Sequence, residues 1–290
     1  MFQWVFIVMA IAVTVWLFHW LIRYSLRAPR QLEQGTPAQL GLDFRQVAIP
    51  TAHAKTLFGW FIPAPGGAPA PVVAVLHGWG SNAEMMLPAA VPLHQSGYAV
   101  LLFDARSHGR SDGDNFASLP RFAEDLDHAL DWLKQQPEVD AARMAVLGHS
   151  VGAGAVLLAA SRRDDVSAVV SIAAFAHPAN MMRRFMAAHR VPYVPLGWYV
   201  LRYVQQVIGY GFDAIAPSRS ITRITCPVFL LHGSEDTTVP ASEAETLYAL
   251  RRSDAVKLLI LPGEHDTSDE LARHADKLIG FLDQAMRSGV

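Results

Sequence analysis

The segment Gly148–Gly152, with the sequence Gly-His-Ser-Val-Gly, constrains the fold more than any other part of the chain. It lies between the apolar run Met144–Leu147, which has the character of a buried strand, and a small-residue helical stretch that begins at Ala153. A serine on a sharp turn from strand to helix needs very small residues two positions away on either side, because the turn is strained and brings backbones together. Glycine occupies both positions. The segment therefore predicts that Ser150 is a nucleophile at the end of a strand.

Short β-branched runs alternate with helical patterns along most of the chain, which is typical of a mostly parallel sheet covered by helices on both faces. The predicted fold is α/β, with an eight-stranded, mostly parallel sheet whose first two strands pair antiparallel. The predicted strands are Phe44–Ile49, Thr56–Ile62, Val72–His77, Ala99–Asp104, Met144–Gly148, Ala168–Ala173, Val228–Leu231 and Lys257–Leu261. The predicted helices are Leu119–Gln135, Val151–Ser161, Ser242–Arg251 and Ser268–Arg287.

Residues 177–216 interrupt this alternation, because they contain no clear strand and many aromatic and methionine side chains. A structureless loop of this length is unusual in a compact domain, so we expect a helical cap over the carboxyl ends of the strands. These side chains suit an apolar acyl pocket, and Met182, Phe185, Trp198 and Tyr199 are the predicted substrate-binding residues. An equally weighted alternative is that they only pack the cap onto the domain.

A serine hydroxyl needs a base within hydrogen-bond reach, and the base needs a carboxylate that orients it. Asp236 follows a predicted strand in Leu-His-Gly-Ser-Glu-Asp, and we prefer it to the neighbouring Glu235 as the acid. His265 follows the next strand and is the predicted base, since His274 lies inside a predicted helix. The predicted catalytic residues are therefore Ser150, Asp236 and His265.

A second glycine-rich loop closes an earlier strand in the sequence His-Gly-Trp-Gly-Ser, which starts at His77. The backbone N–H groups of Trp79, in this loop, and of Val151, after the nucleophile, are the predicted oxyanion donors. We interpret His77 as structural, His149 as a packing residue and His108 as a residue that organises a loop beside the site.

The N-terminal stretch Phe2–Ile22 is almost wholly apolar, and as a helix it is long enough to cross a hydrocarbon core of roughly 30 Å. It lacks the basic start and the small-residue end of a cleaved signal peptide, which favours an uncleaved anchor. Arg23, Arg27 and Arg30 follow the stretch and no Lys or Arg precedes it, so the positive-inside rule predicts a plasma or inner membrane protein with a cytoplasmic catalytic domain.

The predicted organisation is an anchor with a basic flank at residues 1–30, a linker at 31–43 and a catalytic domain at 44–290 that includes the cap at about 177–216. A net charge of −2, from 24 basic and 26 acidic residues, gives no reason to expect a nucleic-acid partner. The single cysteine, Cys226, can form no internal disulfide and is interpreted as a small core residue. The sequence carries no dinucleotide fingerprint, phosphate loop or metal-ligand spacing, so neither cofactor nor metal is expected.

From about residue 44 to the end, the chain resembles the α/β-hydrolase superfamily. The resemblance rests on the loop at His77, the segment Asp104–Ser111, the turn at Ser150, and the positions of Asp236 and His265, whose order of serine, aspartate and histidine is the one this fold uses. Within the superfamily the chain is similar to bacterial membrane-tethered members grouped with prolyl-oligopeptidase-like or serine-aminopeptidase-like hydrolases. Serine at the turn speaks against the dehalogenase and epoxide-hydrolase branches, which use aspartate there.

The resemblance implies two-step acyl transfer, and our first hypothesis is a carboxylic-ester hydrolase that acts on lipid-like or medium-chain acyl esters at the membrane surface. A peptidase, an amidase or a thioesterase could use the same three residues. From another class, the chain could be a catalytically silent binding scaffold, although such a scaffold has no need of all three side chains.

Overall fold

Eight strands form one sheet in the computed structural model of the protein, which describes residues 2–67, 69–266 and 273–287. The strands are β1 (Arg45–Thr51), β2 (Lys55–Ile62), β3 (Ala70–Leu76), β4 (Ala99–Phe103), β5 (Val139–His149), β6 (Ala168–Ile172), β7 (Val228–Gly233) and β8 (Val256–Leu261). Their order across the sheet is β1-β2-β4-β3-β5-β6-β7-β8. β1 pairs antiparallel with β2, β2 pairs antiparallel with β4, and the remaining neighbours are parallel. The predicted eight-stranded, mostly parallel sheet is therefore confirmed.

Helices cover both faces of this sheet. The α-helices of the described ranges are α1 (Phe2–Ser25), α2 (Leu87–Gln95), α3 (Leu119–Leu133), α4 (Val151–Ala160), α5 (Pro178–Ala188), α6 (Trp198–Ile208), α7 (Phe212–Ile215), α8 (Pro217–Ser220), α9 (Ser242–Ala249) and α10 (Ala275–Arg287). Shorter helical turns lie at Pro37–Leu40, Ala52–Ala54, Glu84–Met86 and Tyr193–Gly197. The predicted final helix starts within residues 267–272, which lie outside the described residues, and α10 is its described part.

Helix α2 is not among the helices predicted from the sequence, and it contains two prolines. Pro88 lies in the first turn, where a missing N–H breaks no helical hydrogen bond. Pro92 lies further along the helix, and the buried side chains of Leu87 and Leu93 hold α2 against the sheet. Tertiary packing has therefore outweighed the unfavourable local sequence.

The core lies on both faces of the central strands, as expected for a parallel sheet covered on both sides. In β3, Val72, Ala74 and Leu76 face the side of the sheet that α3 and α4 cover, whereas Val73 and Val75 face the side of α2 and α10. All five side chains are essentially inaccessible to water. A strand buried in this way gives the loops at its carboxyl end a rigid base.

Helix α4 follows Ser150 and is buried from Gly152 to Ala160. It packs between the sheet on one side and α3 and α8 on the other. A helix that is apolar all round is stable only when it is enclosed. The turn that carries Ser150 is therefore anchored to an element that cannot shift without disturbing the core.

By its length and composition alone, helix α1 could cross a membrane. Ile22 is its one buried residue, Phe18 and His19 are half-buried, and residues 2–17 are exposed. The first two thirds of α1 therefore project from the rest of the described chain instead of joining its core.

Candidate active site

Ser150 occupies the turn between β5 and α4. Its backbone adopts φ 54° and ψ −114°, a conformation that residues other than glycine rarely adopt. The N–H of Ser150 donates to the carbonyl oxygen of Ile172 at 2.8 Å, which ties the strained turn to the end of β6. A β-carbon at Gly148 would overlap the backbone of Gly152, and one at Gly152 would overlap the carbonyl group of His77. The two glycines therefore have the steric role that the sequence predicts for them.

The structure brings Ser150, His265 and Asp236 together at the carboxyl edge of the sheet. Nε2 of His265 lies 3.0 Å from Oγ of Ser150, and Nδ1 of His265 lies 2.7 Å from Oδ2 of Asp236. A neutral His265 that donates from Nδ1 to Asp236 has Nε2 free to accept the serine proton. Glu235, the alternative acid, is exposed. The geometry is that of a nucleophile, a base and a carboxylate that orients the base.

The carboxylate of Asp236 is fully buried and surrounded by hydrogen-bond donors. Its Oδ1 accepts from the N–H groups of Thr238 and Val239 at 2.9 and 2.7 Å, and Nε2 of His232 lies 3.3 Å from Oδ2. Burial by itself raises the pKa of Asp236, but the hydrogen bonds from His232, His265 and Val239 outweigh it and hold the pKa well below its ordinary value. Asp236 is therefore ionised at neutral pH and can act as an anionic partner of His265.

The loop that starts at His77 passes directly over Ser150. A β-carbon at Gly78 would lie 3.1 Å from Cβ of Ser150, which is a tight contact, so glycine eases this close approach. Trp79 lines the cavity beside Ser150, and Val151 is the first residue of α4. Both predicted oxyanion donors are thus on the segments that flank the serine, and the N-terminus of α4 favours negative charge there.

Two buried histidines beside the site hold loops together. His77 donates from Nδ1 to the carbonyl of Gly78 at 2.7 Å and accepts at Nε2 from the N–H of Ala105 at 3.0 Å. Burial lowers the pKa of His77 to about 3 and that of His108 to about 4. Their rings lie 5.0 Å apart. Neutral rings at His77 and His108 agree with the interpretation of His77 as structural and of His108 as a residue that organises a loop.

His149 does more than the packing that the sequence indicates. Its Nε2 lies 2.9 Å from the carbonyl oxygen of His265 and donates to it. Burial lowers the pKa of His149, so the ring is neutral and makes this bond as an ordinary donor. The turn that carries Ser150 is therefore bonded to the loop that carries His265, a link that no sequence pattern marks.

The segment that follows α1 is also bonded to the loops of the site. Nη1 of Arg30 donates to the carbonyl oxygens of Gly109 and Ser111 at 3.0 and 2.8 Å. Nδ2 of Asn82 donates to the carbonyl oxygen of Gln31 at 3.1 Å. Residues that the sequence places at the junction of anchor and linker therefore support the loops that follow β3 and β4.

The carboxyl groups of Asp104 and Glu33 lie close together beside these loops. Asp104, at the end of β4, accepts from the N–H groups of Ala83 and Arg110 at 2.7 and 2.8 Å, and the buried carboxyl oxygens of Glu33 lie beside it. Burial raises the pKa of Asp104 to about 8, and Glu33 contributes to the rise. The pair therefore holds a proton at neutral pH.

The cavity that opens at Ser150 and His265 is small, with a volume of about 170 Å³. Its apolar wall is formed by side chains from the loop after β3, from α2 and from the end of β6. These side chains are Met85, Met86, Pro88, Ala89 and Ile172. The sequence did not single out any of them, although two consecutive methionines shortly after the loop at His77 were a signal that could have found part of the wall.

The structure does not bring the four predicted substrate-binding residues to this cavity. Met182 packs against the core, and the ring of Phe185 is 62% exposed beside His189. Trp198 lines a separate cavity of about 700 Å³ within the cap, and Tyr199 packs against α1. The aromatic content of the cap is therefore spread over its surface, its own cavity and its contact with α1.

Comparisons with known proteins agree with this architecture. The family model described as serine aminopeptidase, S33, matches residues 67–206. The uncharacterized protein MT2364 of Mycobacterium tuberculosis is 30% identical over 227 residues, which are 78% of this chain and 74% of that protein.

Solved structures give the same result. The Pyrococcus furiosus esterase Pf2001 superposes with a TM-score of 0.73 and 25% identity, over 89% of this chain and 99% of its own. Est1E of Butyrivibrio proteoclasticus, solved with ferulic acid bound, shares the fold with a TM-score of 0.65 at 20% identity over 83% of this chain and 99% of its own. The sheet, the turn at Ser150 and these likenesses lead to one conclusion: the chain belongs to the α/β-hydrolase superfamily and is a hydrolase.

Proposed function

We propose that the protein is a membrane-anchored serine esterase that cleaves carboxylic esters through an acyl-enzyme intermediate. The observation that carries the proposal is the chain of contacts from Ser150 to His265 to Asp236, at 3.0 and 2.7 Å. An esterase of similar fold and 25% identity, Pf2001, favours ester chemistry among the reactions that such a triad can perform.

In the first step, Oγ of Ser150 attacks the ester carbonyl carbon while its proton moves to Nε2 of His265. The imidazolium that forms is stabilised by the buried carboxylate of Asp236. The N–H groups of Trp79 and Val151 donate to the oxyanion of the tetrahedral intermediate and stabilise the negative charge that develops on it, at low reorganisation cost. The intermediate collapses, His265 gives the proton to the leaving alcohol, and the acyl group stays on Ser150.

In the second step, His265 takes a proton from water, and the resulting hydroxide attacks the acyl-enzyme carbonyl. Collapse of this second intermediate breaks the bond to Oγ of Ser150, and His265 returns the proton to the serine. The acid leaves as a carboxylate and the enzyme is restored.

The apolar wall around Met85 and Met86 suits the acyl part of the ester. A cavity of about 170 Å³ is below the roughly 300–1,000 Å³ of sites for drug-sized ligands, so we propose medium-chain acyl esters whose remaining length lies outside the cavity. Lipid-like esters have acyl chains of this kind. They are also within reach of the enzyme, because the proposed anchor keeps it at a membrane surface.

An aminopeptidase is the second candidate, and the S33 family match favours it. Asp266 lines the cavity next to His265, where a carboxylate could pair with the amino group of a peptide substrate. This candidate predicts faster cleavage of aminoacyl p-nitroanilides than of simple esters, whereas the esterase proposal predicts the reverse.

We further propose that α1 spans the plasma or inner membrane, with the hydrolase domain in the cytoplasm. The arginines that follow the apolar stretch support this orientation through the positive-inside rule. Resistance of the protein to carbonate extraction, and protection of an Ala141→Cys variant from membrane-impermeant maleimide in intact cells, would test the two parts separately.

The decisive test of the chemistry is labelling of the detergent-solubilised full-length protein with a fluorophosphonate, followed by assays with p-nitrophenyl esters of increasing chain length. We expect labelling of the wild type, none of Ser150→Ala, and a maximum of turnover at medium chain length. A well-folded wild type that neither labels nor turns over any ester would favour a silent scaffold. Labelling without esterase activity, but with release of p-nitroaniline from aminoacyl substrates, would favour the aminopeptidase.

A further inference from the structure

The cap packs against the end of α1 that lies nearest to the hydrolase domain. The ring of Tyr199 lies 5.9 Å from the ring of Phe18, and the ring of Tyr203 stacks on His19 at 4.2 Å. Nε2 of His19 is hydrogen-bonded to the hydroxyl of Tyr199, and Nε of Arg23 donates to the hydroxyl of Tyr203 at 2.9 Å. Helix α6 therefore lies along the last turns of α1.

The two helices run in the same direction where they touch. Phe18 and His19 contact Tyr199 near the start of α6, and His19 and Arg23 contact Tyr203 one turn later. Residue numbers thus increase together along both helices. The beginning of α6 therefore lies toward the N-terminal, fully exposed part of α1, and the turn Tyr193–Gly197 leads into this end of α6.

The composition of α1 places a bilayer boundary near this contact. The apolar stretch of α1 ends at Ile22, and Arg23 is its first charged residue. Because a charged side chain is costly inside the hydrocarbon, a bilayer that α1 crosses ends near Ile22, about one helical turn beyond the level where Phe18 and His19 meet Tyr199. The turn Tyr193–Gly197 leads into α6 at the end of this helix that contacts Phe18 and His19.

The side chains of this turn have the composition of a membrane-inserted surface. Val194 is 74% exposed and Trp198 is 51% exposed, and Tyr193 and Leu196 are also exposed. Exposed apolar groups of this kind are costly in water, whereas tryptophan and tyrosine are enriched at membrane interfaces.

Arginines accompany the aromatic side chains. The exposed Arg183 donates to the hydroxyl of Tyr193 at 3.0 Å and lies over its ring at 4.9 Å, and Arg202 lies over the ring of Trp198 at 5.8 Å. Arg190 is exposed near the end of α5. Guanidinium groups beside interfacial aromatic rings are placed to bind lipid phosphates.

We propose that the cap is a second membrane-binding surface, in which the turn Tyr193–Gly197 and Trp198 insert into the leaflet that α1 enters and Arg183 and Arg190 bind anionic phospholipid headgroups. This inference rests on the proposed membrane span of α1. The hydrolase domain is then held at the bilayer by two contacts, which fixes its orientation, instead of moving freely at the end of a tether.

The test uses the full-length protein in nanodiscs, with single cysteines that carry an environment-sensitive NBD fluorophore. Cys226→Ala removes the native thiol, and the labels are placed at Val194 in the turn, at Val8 in α1 and at Ala141. Ala141 is an exposed residue in the amino-terminal part of β5, at the end of this strand opposite Ser150, and is the matched control. Fluorophosphonate labelling of each variant shows that the domain has folded.

We expect the labels at Val194 and Val8 to be blue-shifted and quenched by doxyl-labelled lipids, and the label at Ala141 to be unaffected. A label at Val194 that stays in water while Val8 is quenched would overturn the inference and leave the anchor intact. If both stay in water, the proposed membrane span fails and the inference fails with it.

The lipid chemistry is tested in the same discs. Phosphatidylglycerol should deepen the quenching at Val194 relative to phosphatidylcholine alone, and Arg183→Gln with Arg190→Gln should remove this difference. Equal quenching in both lipids would overturn the part of the proposal that assigns anionic headgroups to the two arginines.

Discussion

The loops at the carboxyl edge of the sheet and the cap differ in how their side chains are held. Asp236 and His265 have 0% and 24% of their side chains exposed and are fixed by hydrogen bonds, whereas in the cap Trp198 and Phe185 are more than half exposed. The cavity at Ser150 has a volume of about 170 Å³, and the cavity of the cap about 700 Å³, with no lining residue in common.

The aromatic side chains of the cap and the group formed by Ser150, His265 and Asp236 therefore lie in separate parts of the molecule. The reacting groups need rigid positions, which buried strand ends and hydrogen bonds provide. A surface that meets a partner or a membrane needs exposed apolar area instead. Size alone would have selected the larger cavity, but Ser150 and His265 line the smaller one.

The largest expected effect comes from Asp236→Asn. An asparagine can donate to Nδ1 of His265 and stabilise the wrong tautomer, so we expect kcat for p-nitrophenyl esters to fall by roughly 10³- to 10⁴-fold. Glu235→Gln, one residue away and exposed, should leave kcat unchanged. A loss of less than tenfold in Asp236→Asn would mean that the carboxylate does not orient the base.

Substitutions in the two cavities should have smaller effects and should show which cavity binds the acyl chain. Met85→Ala shortens the apolar wall beside Ser150 at a half-exposed position, so it should lower kcat/KM for the best ester by about tenfold and change the preferred chain length. Trp198→Ala alters only the cavity of the cap and should preserve the chain-length profile measured in detergent. If the profile instead follows Trp198, the acyl chain binds in the cap.

The hydrogen bond from His149 to the carbonyl oxygen of His265 should contribute less to kcat than the apolar wall contributes to kcat/KM. His149→Ala removes one neutral hydrogen bond, worth about 1 kcal/mol, and is expected to lower kcat about fivefold with little change in KM. His149→Gln keeps a donor and should restore part of the rate. Equal losses in both variants would indicate that the ring acts through packing alone.

The smallest expected effect concerns the carboxyl pair near the linker. Because the folded-state pKa of Asp104 is raised to about 8, the folded protein holds a proton that the unfolded chain releases, so this group's contribution to stability falls as pH rises from about 4 to 8. Glu33→Gln removes one cause of the raised pKa and offers an amide donor to Asp104.

We therefore expect Glu33→Gln to gain stability relative to the wild type at pH 8, on the order of 1 kcal/mol or roughly 2–4 °C in Tm, and less at pH 5. Thermal unfolding in detergent at the two pH values measures the difference. A gain that is the same at both would show that Glu33 does not raise the pKa of Asp104.

The meeting of Ser150, Asp236 and His265 could be predicted because its causes are local. Each of the three lies within four residues of the carboxyl end of a strand, and parallel strands bring their carboxyl ends to one edge of the sheet. The turn at Ser150 also requires glycine at two fixed positions, and that requirement is visible in the sequence. Strand periodicity and turn chemistry therefore determined the fold class and the three residues that meet.

Contacts between distant segments were decided only by the tertiary structure. Residues separated by 180 positions meet where His19 bonds to Tyr199, and Arg30 reaches the loop after β4 across 79 positions. Neither pairing leaves a periodic signal, since each depends on how whole helices and loops pack. For the same reason, composition marked the cap as apolar but could not say whether its aromatic side chains face the nucleophile, the anchor or the solvent; that depends on the placement of α5 and α6 against the rest of the chain.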